Sequence, residues 1–494
     1  MNDRPSPEQS LSSVSNKDFF KIFNLMRIIH ISTNKKHPCF RGTISLQSKR
    51  HDILFVVLDP CDQPRYNITS IYFRKNLMFA HLGVRKDFDF TPDPKLEAAF
   101  LKIFREFHPD VIHLQLFDGV NVLSILRAAS QTPARKIITL HIHSLFCLSG
   151  ACFDRGRVCR LNSIEECSCE NCRSAAKREK LSLLKYNQIR LERGKEIISL
   201  TDTLVCCSYW QKETIRRLLG EESKTTLLYY GVRRFPKNKT KATVTKKEIA
   251  AAGMDWDHFL AIAEGKGWGT RMNGISFRFR KNPDSEMKKV RKAFGDDFKK
   301  LQMIVKKPTG KISKKNSLPS FGYLGSLWEL KGVDVLLDAL QRLGRLEFRV
   351  LMGISLMSDH DASKGLLKRM NQHRSIKILL NLKREEMYEK FFSQIDYLII
   401  PSVWEETGPL TLFESFFHKV PVIISDRPGM VEKTRPGVNS FVFDNADSLA
   451  AIMRDIIEGR VTTGARTRAN FPVTALTEYN AMIENIYSGK TIIE

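Results

Sequence analysis

The sequence lacks any long uninterrupted run of apolar residues. No stretch approaches the roughly 18 to 20 residues that a membrane-spanning helix needs, which excludes a protein built on transmembrane helices. The first twenty residues also lack the basic segment and apolar core of a secretory signal. From these two absences we expect a cytoplasmic protein, in which any contact with a membrane would be peripheral.

Acidic residues are scarce relative to basic ones, and the chain carries a formal net charge of +25. About half of this excess lies between Phe235 and Leu318, a segment with 21 Lys and Arg residues but only 8 Asp and Glu residues. Basic and aromatic residues alternate within Ile275–Lys281, a pattern that can bind nucleic acid or an anionic membrane surface. We favour the simpler interpretation of a solvated linker, and we expect no nucleic-acid partner.

The chain is too long for one compact core, and short apolar strands alternate with helices in both halves. This alternation is typical of parallel sheets covered on both faces. The predicted strands are Arg27–Ser32, Ile53–Leu58, Val111–Leu114, Lys136–Leu140, Thr203–Cys207, Phe321–Leu324, Phe348–Leu351, Ile376–Leu379, Tyr397–Ile400 and Val422–Ile424. We therefore predict an α/β chain with two Rossmann-like domains facing across a cleft, where ligands bind at the carboxyl ends of the strands.

The composition divides the chain into five predicted parts. They are a disordered extension over 1–25, a first domain over 26–234 with a Cys-rich insertion at about 147–173, a basic insertion or linker over 235–318, a second domain over 319–470, and a C-terminal helix within 471–494 that we expect to pack back on the first domain. A single long helix is predicted over 175–198.

A helix is expected to begin at Pro409, shortly after the strand that ends at Ile400, because Pro is favoured at the first helical position. The amides of Leu410, Thr411 and Leu412 would then be free. Free amides at the positive end of the helix dipole form an anion site suited to a phosphate or a sugar hydroxyl.

Two glutamates flank this anion site, Glu406 before it and Glu414 about one turn into the helix. A carboxylate can accept two hydrogen bonds from a vicinal diol, so the pair can hold a sugar and a ribose on either side of a diphosphate. Taken singly, Glu406 is as well explained as an exposed loop charge and Glu414 as an acid that complements the helix dipole.

Glu406-x7-Glu414 resembles the E-x7-E motif of retaining GT-B glycosyltransferases, especially glycosyltransferase family 4. The strand Val420–Ile423 and the Gly-rich turn Gly429–Glu432 are also similar to that family. The resemblance implies transfer of a hexose from a nucleotide-sugar, a UDP- or GDP-sugar, to a glycan or lipid acceptor with retention of configuration. It implies that Glu406 contacts the donor sugar and Glu414 the ribose. The donor-binding residues of this segment would be Glu406, Thr407, Gly408, Pro409, Leu410 and Glu414.

A second match to the family lies in Phe321–Gly332. By this resemblance Lys331 neutralises the donor diphosphate, and Ser326 occupies a donor-site position where the family often has Arg. The resemblance also implies that catalysis requires no metal or other cofactor, since amides and basic side chains neutralise the leaving group.

The strand ending at His141 resembles the family's Leu-His-Asp strand end, which implies that His141 contributes to the catalytic site by binding the reacting sugar. Ile142 replaces the Asp, and His143 follows as a second candidate. The segment His113–Gly119 is similar to a strand exit on the acceptor side. In place of the family's Gly-Gly loop and long helix, only Gly42 remains, where the backbone could approach the donor phosphate.

Six of the ten cysteines lie within the 26 residues from Cys147 to Cys172. Without a secretory signal, they favour reduced thiols or a metal site over disulfides. Four of them offer enough thiolates for a structural zinc ion, namely Cys159, Cys167, Cys169 and Cys172. A reduced Cys-rich loop explains the cluster equally well.

Two other functions stay open. A non-catalytic binding protein on a GT-B-like scaffold would contact nucleic acid or a membrane through the basic insertion; the shortened segment at Gly42 and the residue Ser326 favour it. A nucleotide-sugar epimerase on the same fold would need no acceptor.

Overall fold

The computed structural model describes the greater part of both predicted domains. The described residues are 25–33, 38–64, 66, 68–74, 76–87, 90–115, 117, 119–154, 157–159, 163–221, 223–233, 241–245, 269–271, 274–278, 318–355, 361–464, 466–467 and 469–490. The predicted extension over 1–25 lies outside them except for residue 25, as do most of the basic insertion, Leu116, Asp118 and residues 491–494.

Among the described residues of the N-terminal domain there are ten strands, and eight of them form one sheet. The strands are β1 (Arg27–Ser32), β2 (Asp52–Cys61), β3 (Ile68–Arg74), β4 (Leu77–Arg85), β5 (Val111–Leu114), β6 (Arg135–Leu140), β7 (Phe153–Asp154), β8 (Arg157–Val158), β9 (Thr203–Cys206) and β10 (Thr225–Leu227). The sheet has the order β10-β9-β6-β5-β1-β2-β4-β3, and β7 and β8 form a separate two-stranded ribbon. All neighbours in the sheet pair in parallel except β3 and β4.

The helices of this domain are α1 (Pro38–Gln47), α2 (Pro94–Phe107), α3 (Val122–Ser130), α4 (Glu170–Arg178), α5 (Leu183–Ser199) and α6 (Tyr209–Leu219). The prediction of one helix over 175–198 is wrong, because residues 179–182 are not helical and separate α4 from α5. Lys180 adopts a left-handed backbone with φ of 55°, and the Ser182 hydroxyl accepts a hydrogen bond from the Lys185 amide as the cap of α5.

Residues 234–319 form a compact unit together with 382–390, distinct from the rest of the chain. Its described strands are β11 (Lys241–Thr245), β12 (Gly269–Arg271) and β13 (Gly274–Arg278), which pair antiparallel in the order β11-β13-β12. The basic and aromatic segment Ile275–Lys281 contributes its first four residues to β13. The remaining three, and the side chains of the segment, lie outside the described residues.

The C-terminal domain contains a six-stranded sheet in which all neighbours are parallel. Its strands are β14 (Ser320–Ser326), β15 (Arg349–Ser355), β16 (Ile376–Leu380), β17 (Tyr397–Ile400), β18 (Val422–Ser425) and β19 (Ser440–Phe443), in the order β16-β15-β14-β17-β18-β19. The prediction of two parallel sheets in an α/β arrangement is confirmed.

The remaining helices are α7 (Val333–Arg342), α8 (Asp361–Gln372), α9 (Met387–Lys390), α10 (Leu410–Phe417), α11 (Pro428–Val431), α12 (Ala446–Ile457) and α13 (Leu476–Tyr487), with 3-10 turns at Glu329–Lys331, Arg384–Glu386 and Phe392–Gln394. None of the helices among the described residues is long and apolar enough to cross a bilayer.

The last helix, α13, packs on the N-terminal domain. Its Tyr479, Ile483 and Ile486 share a buried cluster with residues of β1 and β2. Gly42 lies within α1, which also packs against α13. A Cβ on Gly42 would lie 2.6 Å from Cδ2 of Leu476, the first residue of α13. The expectation of a loop at Gly42 is therefore wrong, since a helix covers this position and the missing side chain makes room for α13. Contact between Gly42 and a donor phosphate stays a prediction.

The turn between β14 and α7 approaches the end of β17 very closely at Gly332. This residue adopts a left-handed backbone with φ of +65°, and a Cβ on it would lie 1.8 Å from the carbonyl oxygen of Pro401. Only glycine allows this contact, because both the backbone conformation and the space exclude a side chain. The contact places Lys331, the preceding residue, beside the loop that follows β17.

We predict that Gly332→Ala lowers the stability of the protein far more than Gly344→Ala. Both glycines have φ above +60°, but a Cβ at Gly344 would meet no atom within 4 Å. The Gly344 variant should lose on the order of 1 kcal/mol through backbone strain alone, and the Gly332 variant on the order of 3 kcal/mol. Denaturant titrations of both variants check this difference, and equal losses would contradict it.

Candidate functional site

Glu406 lies in the loop that leaves the carboxyl end of β17, and it is almost fully buried, with 4% of its surface exposed. Its Oε1 accepts hydrogen bonds from Ser402 Oγ at 2.7 Å and Trp404 Nε1 at 2.9 Å. Lys331 Nζ completes the set with an ion pair of 2.7 Å. A buried carboxylate needs such partners to offset the loss of its hydration. The alternative of an exposed loop charge is thus wrong.

Lys331 comes to this carboxylate from a position 75 residues earlier in the chain. Its ammonium group also lies 5.2 Å from the ring centroid of Trp404, and the side chain keeps 28% of its surface exposed. The structure therefore brings together two residues that the sequence assigned to the donor site. Ser326 lies half-buried at the end of β14, where its carbonyl oxygen accepts a hydrogen bond of 2.6 Å from the Tyr323 hydroxyl.

The start of α10 differs in detail from the prediction. Pro409 is the N-terminal cap rather than the first helical residue. The Leu412 amide donates a hydrogen bond to the Pro409 carbonyl oxygen at 3.0 Å, so the prediction that this amide is free is wrong. Within the described part of the chain, the amides of Leu410 and Thr411 have no acceptor. Glu414 lies in the second turn of α10, with 6% of its surface exposed.

Gly408, just before α10, has φ of +129°. L-residues with a side chain rarely adopt this conformation. A Cβ here would also lie 2.8 Å from Cε of Lys433. Glycine at this position lets the loop after Glu406 turn into the helix.

Glu405 was missed by the sequence reasoning, although it is more buried than its neighbour, with 2% of its surface exposed. Its Oε1 accepts a hydrogen bond of 2.9 Å from the amide of Gly429. Burial raises the pKa of Glu405 to about 7. Two consecutive acids after an apolar strand could have indicated that Glu405 also belongs to the site. The sequence alone does not show that Glu406 pairs with a lysine, whereas burial raises the pKa of Glu405.

His141 lies at the carboxyl end of β6, with both ring nitrogens bonded inside the N-terminal domain. Nδ1 is 2.9 Å from the Tyr230 hydroxyl, and Nε2 is 2.9 Å from Oε1 of Gln115. The contact with the C-terminal domain is made by its backbone, since the carbonyl oxygen accepts a hydrogen bond of 3.0 Å from the Thr407 hydroxyl. In this arrangement the imidazole supports the strand end rather than presenting a nitrogen to a ligand.

The side chain of His143 also contacts the C-terminal domain. Its Nε2 lies 2.9 Å from the carbonyl oxygen of Glu405, and its Nδ1 lies 3.3 Å from Nε2 of Gln211. Complete burial lowers the pKa of His143 to about 4. The ring is therefore neutral near pH 7, with Nε2 donating to the carbonyl and Nδ1 accepting from the amide.

The predicted Gly-rich turn, Gly429–Glu432, binds the N-terminal end of α6. The carboxylate of Glu432 accepts hydrogen bonds from the amides of Tyr209 at 2.8 Å and Trp210 at 3.0 Å. A carboxylate at this end of a helix complements the helix dipole. Lys433 pairs with Glu432 at 2.7 Å and lies 4.5 Å from the ring centroid of Tyr229. The segments that follow the carboxyl ends of β18 and β9 are thus in direct contact.

A buried polar network lies behind His141 and includes part of the predicted acceptor-side segment. His113 contacts the hydroxyls of Thr139 and Tyr487, each at 2.7 Å, and Gln115 contacts His30 at 3.2 Å. Burial lowers the pKa of His30 to about 4 and holds that of His113 well below its usual value. His113 and Gln115 therefore lie inside the domain, and the expectation that they line the acceptor side is wrong for these two residues.

A cavity of about 430 Å³ lies at the opposite edge of the N-terminal sheet. It is lined by the first residues of β1, β2 and β4 and by the end of α2, including Arg27, Asp52 and Phe107. Ligands of open α/β sheets bind at the carboxyl ends of strands. This cavity is therefore not part of the site around Glu406.

Two family models match the chain. Residues 44–234 match the model described as Glycosyltransferase Family 4, and residues 318–459 match the model described as Glycosyl transferases group 1. The first match includes the strands β2 to β10 but not β1, and the second includes all six strands of the C-terminal sheet. A comparison with curated protein sequences found no match.

Solved structures with the same fold are glycosyltransferases of low sequence identity. A glycosyltransferase from Rickettsia africae is 14% identical, with a TM-score of 0.53 over 94% of this chain and 99% of that one. HepE from Anabaena, in complex with UDP and glucose, gives the same four values. Sucrose-phosphate synthase from Thermosynechococcus elongatus is 12% identical, with a TM-score of 0.55 over 94% and 98%. At this identity the likeness shows the GT-B fold.

We predict that the wild-type protein loses stability relative to Glu405→Gln as the pH rises from about 5 to 8. The folded-state pKa of Glu405 is raised from 4.5 to about 7, so the protonated form favours folding below pH 4.5 and this contribution is lost as the pH rises through 7. Each pKa unit corresponds to about 1.4 kcal/mol, so the full effect is on the order of 3 kcal/mol. Glutamine keeps the acceptor for the Gly429 amide and cannot ionise.

Thermal unfolding of the two proteins at matched pH values measures this effect. Glu458→Gln, a change in an exposed acid at the end of α12, is the control and should show the pH dependence of the wild type. Parallel curves for the wild type and Glu405→Gln across this range would contradict the prediction.

Proposed function

We propose that this chain, which belongs to the GT-B glycosyltransferases of glycosyltransferase family 4, transfers a hexose from a nucleotide-sugar to an acceptor hydroxyl with retention of anomeric configuration. The observation that carries the proposal is the buried Glu406 carboxylate, held by Lys331 at the carboxyl end of β17. The sugar, the diphosphate and the ribose of the nucleotide-sugar would each bind different residues, which lie in the loop after β17, in α10 and in the turn that contains Lys331.

Glu406 is suited to bind a sugar hydroxyl. Among the described residues, every hydrogen bond to its carboxylate ends on Oε1. Oε2 is then the oxygen that a donor hydroxyl would engage. Three hydrogen-bond donors hold Oε1, so the carboxylate is already oriented before the nucleotide-sugar binds. Binding therefore would not lose the entropy of ordering this side chain.

Lys331 would neutralise the diphosphate. An ammonium group has three protons, and the ion pair with Glu406 uses one of them. The partly exposed side chain can therefore donate to a phosphate oxygen while the pair persists. The amides of Leu410 and Thr411, at the positive end of α10, would add two further donors to the departing diphosphate.

Glu414 would bind the ribose of the donor. It lies one turn beyond the amides proposed to hold the diphosphate, so its carboxylate is within the reach of a nucleoside attached to that phosphate. Thr407 would act indirectly, because its hydroxyl is bonded to the His141 carbonyl and fixes the loop from the side of the N-terminal domain. We assign His141 the same positioning role, since both its ring nitrogens are engaged.

A UDP-sugar is the first donor to test, because HepE from Anabaena, which shares the fold, binds UDP and glucose. A GDP-sugar is the second, from the family resemblance. The proposed acceptor is a glycan or a lipid that carries a free hydroxyl. A thermal-shift screen of UDP- and GDP-sugars against the full chain would identify the donor, since a bound donor raises the unfolding temperature.

We predict that Glu406→Ala and Glu414→Ala each lower kcat/KM by about 10- to 100-fold, because a hydrogen bond to a charged group is worth ~1.5–3 kcal/mol. Release of the nucleotide from the donor identified in the screen measures the rate. Glu458→Ala is the matched control and should keep full activity. Wild-type rates in both the Glu406 and the Glu414 variant would exclude the assignment of this site.

We predict that the sugar is released or transferred with the anomeric configuration of the donor. The α-anomer of UDP-glucose should first give α-glucose in the slow hydrolysis that occurs without acceptor, and proton NMR within minutes would detect it before mutarotation. Initial release of the β-anomer would contradict retention while leaving the transferase proposal intact.

A further inference from the structure

The cysteines of the insertion before α5 come together in three dimensions. The sulfur atoms of Cys167 and Cys172 are 3.4 Å apart, those of Cys169 and Cys172 are 3.4 Å apart, and those of Cys167 and Cys169 are 3.8 Å apart. These three sulfurs form a group in which all atoms lie within 4.8 Å of one another. Cys159 packs against the same buried cluster as Cys167 and Cys172.

We propose that Cys159, Cys167, Cys169 and Cys172 bind a structural zinc ion. With Zn–S bonds of about 2.3 Å, the sulfurs of a tetrahedral site lie about 3.8 Å from one another. The three separations in the structure are within a few tenths of an ångström of this value. They are far longer than the roughly 2.05 Å of a disulfide. The backbone therefore already holds three sulfurs at the spacing of zinc ligands, and the fourth cysteine, Cys159, packs against the same cluster.

The surroundings of the thiols are suited to a negatively charged metal site. Four thiolates and one zinc ion leave a net charge of about −2. Arg190, a buried residue of α5, directs its Nη1 to the sulfur of Cys172 at 3.3 Å and its Nη2 to the carbonyl oxygen of Phe146 at 3.2 Å. A cation bonded to a ligand sulfur offsets this charge and orients the ligand.

The loop that carries the ligands is also held from α5. Asn187, which is fully buried, donates from Nδ2 to the carbonyl oxygens of Glu165 at 3.0 Å and Cys167 at 2.8 Å. These bonds fix the backbone on either side of the central ligand. A site held in this way would bind zinc with little rearrangement of the chain.

Cys147 and Cys152 form a separate pair. The Cys152 amide donates to the sulfur of Cys147 at 3.3 Å, and each thiol has the other as its neighbour. The ribbon of β7 and β8 separates this pair in sequence from Cys167. We therefore exclude both residues from the zinc site, and they serve as nearby controls.

The segment that precedes the proposed zinc ligands contacts the candidate donor site. Ala151 and Phe153, at the start of the ribbon, pack with Leu330 and Trp404 of the C-terminal domain. Trp404 in turn donates to Glu406. Zinc would therefore stabilise the segment that covers this tryptophan. This consequence for donor binding rests on the proposed function, whereas the zinc site itself does not.

Metal analysis of the full chain tests the proposal directly. The protein, purified in reductant without chelator, should contain about one zinc ion per chain. A mercurial reagent that blocks thiols should release that zinc to a chromogenic chelator. Replacement by cobalt(II) should produce the thiolate-to-metal charge-transfer and visible bands of a tetrahedral sulfur site. None of these readouts depends on transferase activity.

Single substitutions identify the ligands. Cys167→Ser, Cys169→Ser and Cys172→Ser should each lower the zinc content at least about fivefold, because one ligand of four is lost. Cys61→Ser, Cys147→Ser and Cys152→Ser are the matched controls and should retain it. Glu406→Ala should also retain zinc while it loses transfer, which separates failure of this proposal from failure of the proposed function.

Three outcomes would overturn the zinc site. The first is a wild-type protein with less than about a tenth of a zinc ion per chain and no cobalt spectrum, whose four thiols react freely with a thiol reagent. The second is iron with inorganic sulfide in place of zinc. The third is full zinc content in folded Cys167→Ser and Cys169→Ser variants.

Discussion

The ion pair between Lys331 and Glu406 is the interaction on which the rest of the candidate site depends. A carboxylate with 4% of its surface exposed is costly unless its charge is neutralised. The ammonium group reaches it only because two glycines let the main chain close around it. Gly332 brings the turn before α7 against the Pro401 carbonyl, and Gly429 lies against the Glu406 carbonyl, where a Cβ would be 1.9 Å from the oxygen. The charge pair and the close backbone contacts therefore form one unit.

The two domains support this loop from opposite sides, and most of the support is from backbone groups. Thr407 bonds to a carbonyl at the end of β6, His143 bonds to the Glu405 carbonyl, and Glu432 caps α6. A hydrogen bond to a backbone group depends on where the main chain lies. It does not depend on which residue supplies the carbonyl or amide group. The geometry of the loop is consequently a property of both sheets, even though the residues proposed to bind the donor lie in the C-terminal domain.

Sequence reasoning succeeded where the signal was local. The strands β1, β5 and β17 have the predicted bounds, because each is a short apolar run that is buried on both faces. The family resemblance assigned Lys331 and Glu406 to one donor site, and the structure brings the two residues together, but their ion pair was not predicted. The failures concern tertiary contacts: Gly42 is a helical residue that makes room for α13, and the cross-domain bond of His143 depends on a partner 262 residues away. No local pattern contains that information.

Glu405 and Glu406 show how adjacent identical residues acquire different chemistry. Both are buried, but Glu406 faces a lysine, an indole and a hydroxyl, whereas Glu405 faces a single backbone amide. One amide does not offset the burial of a charge, so the pKa of Glu405 rises to about 7 and the carboxyl is protonated below that pH. If both carboxylates were charged in so small a volume, their repulsion would oppose the closure of the loop on Gly429. Protonation of Glu405 removes this repulsion and favours the closed loop in which Glu406 is held by Lys331.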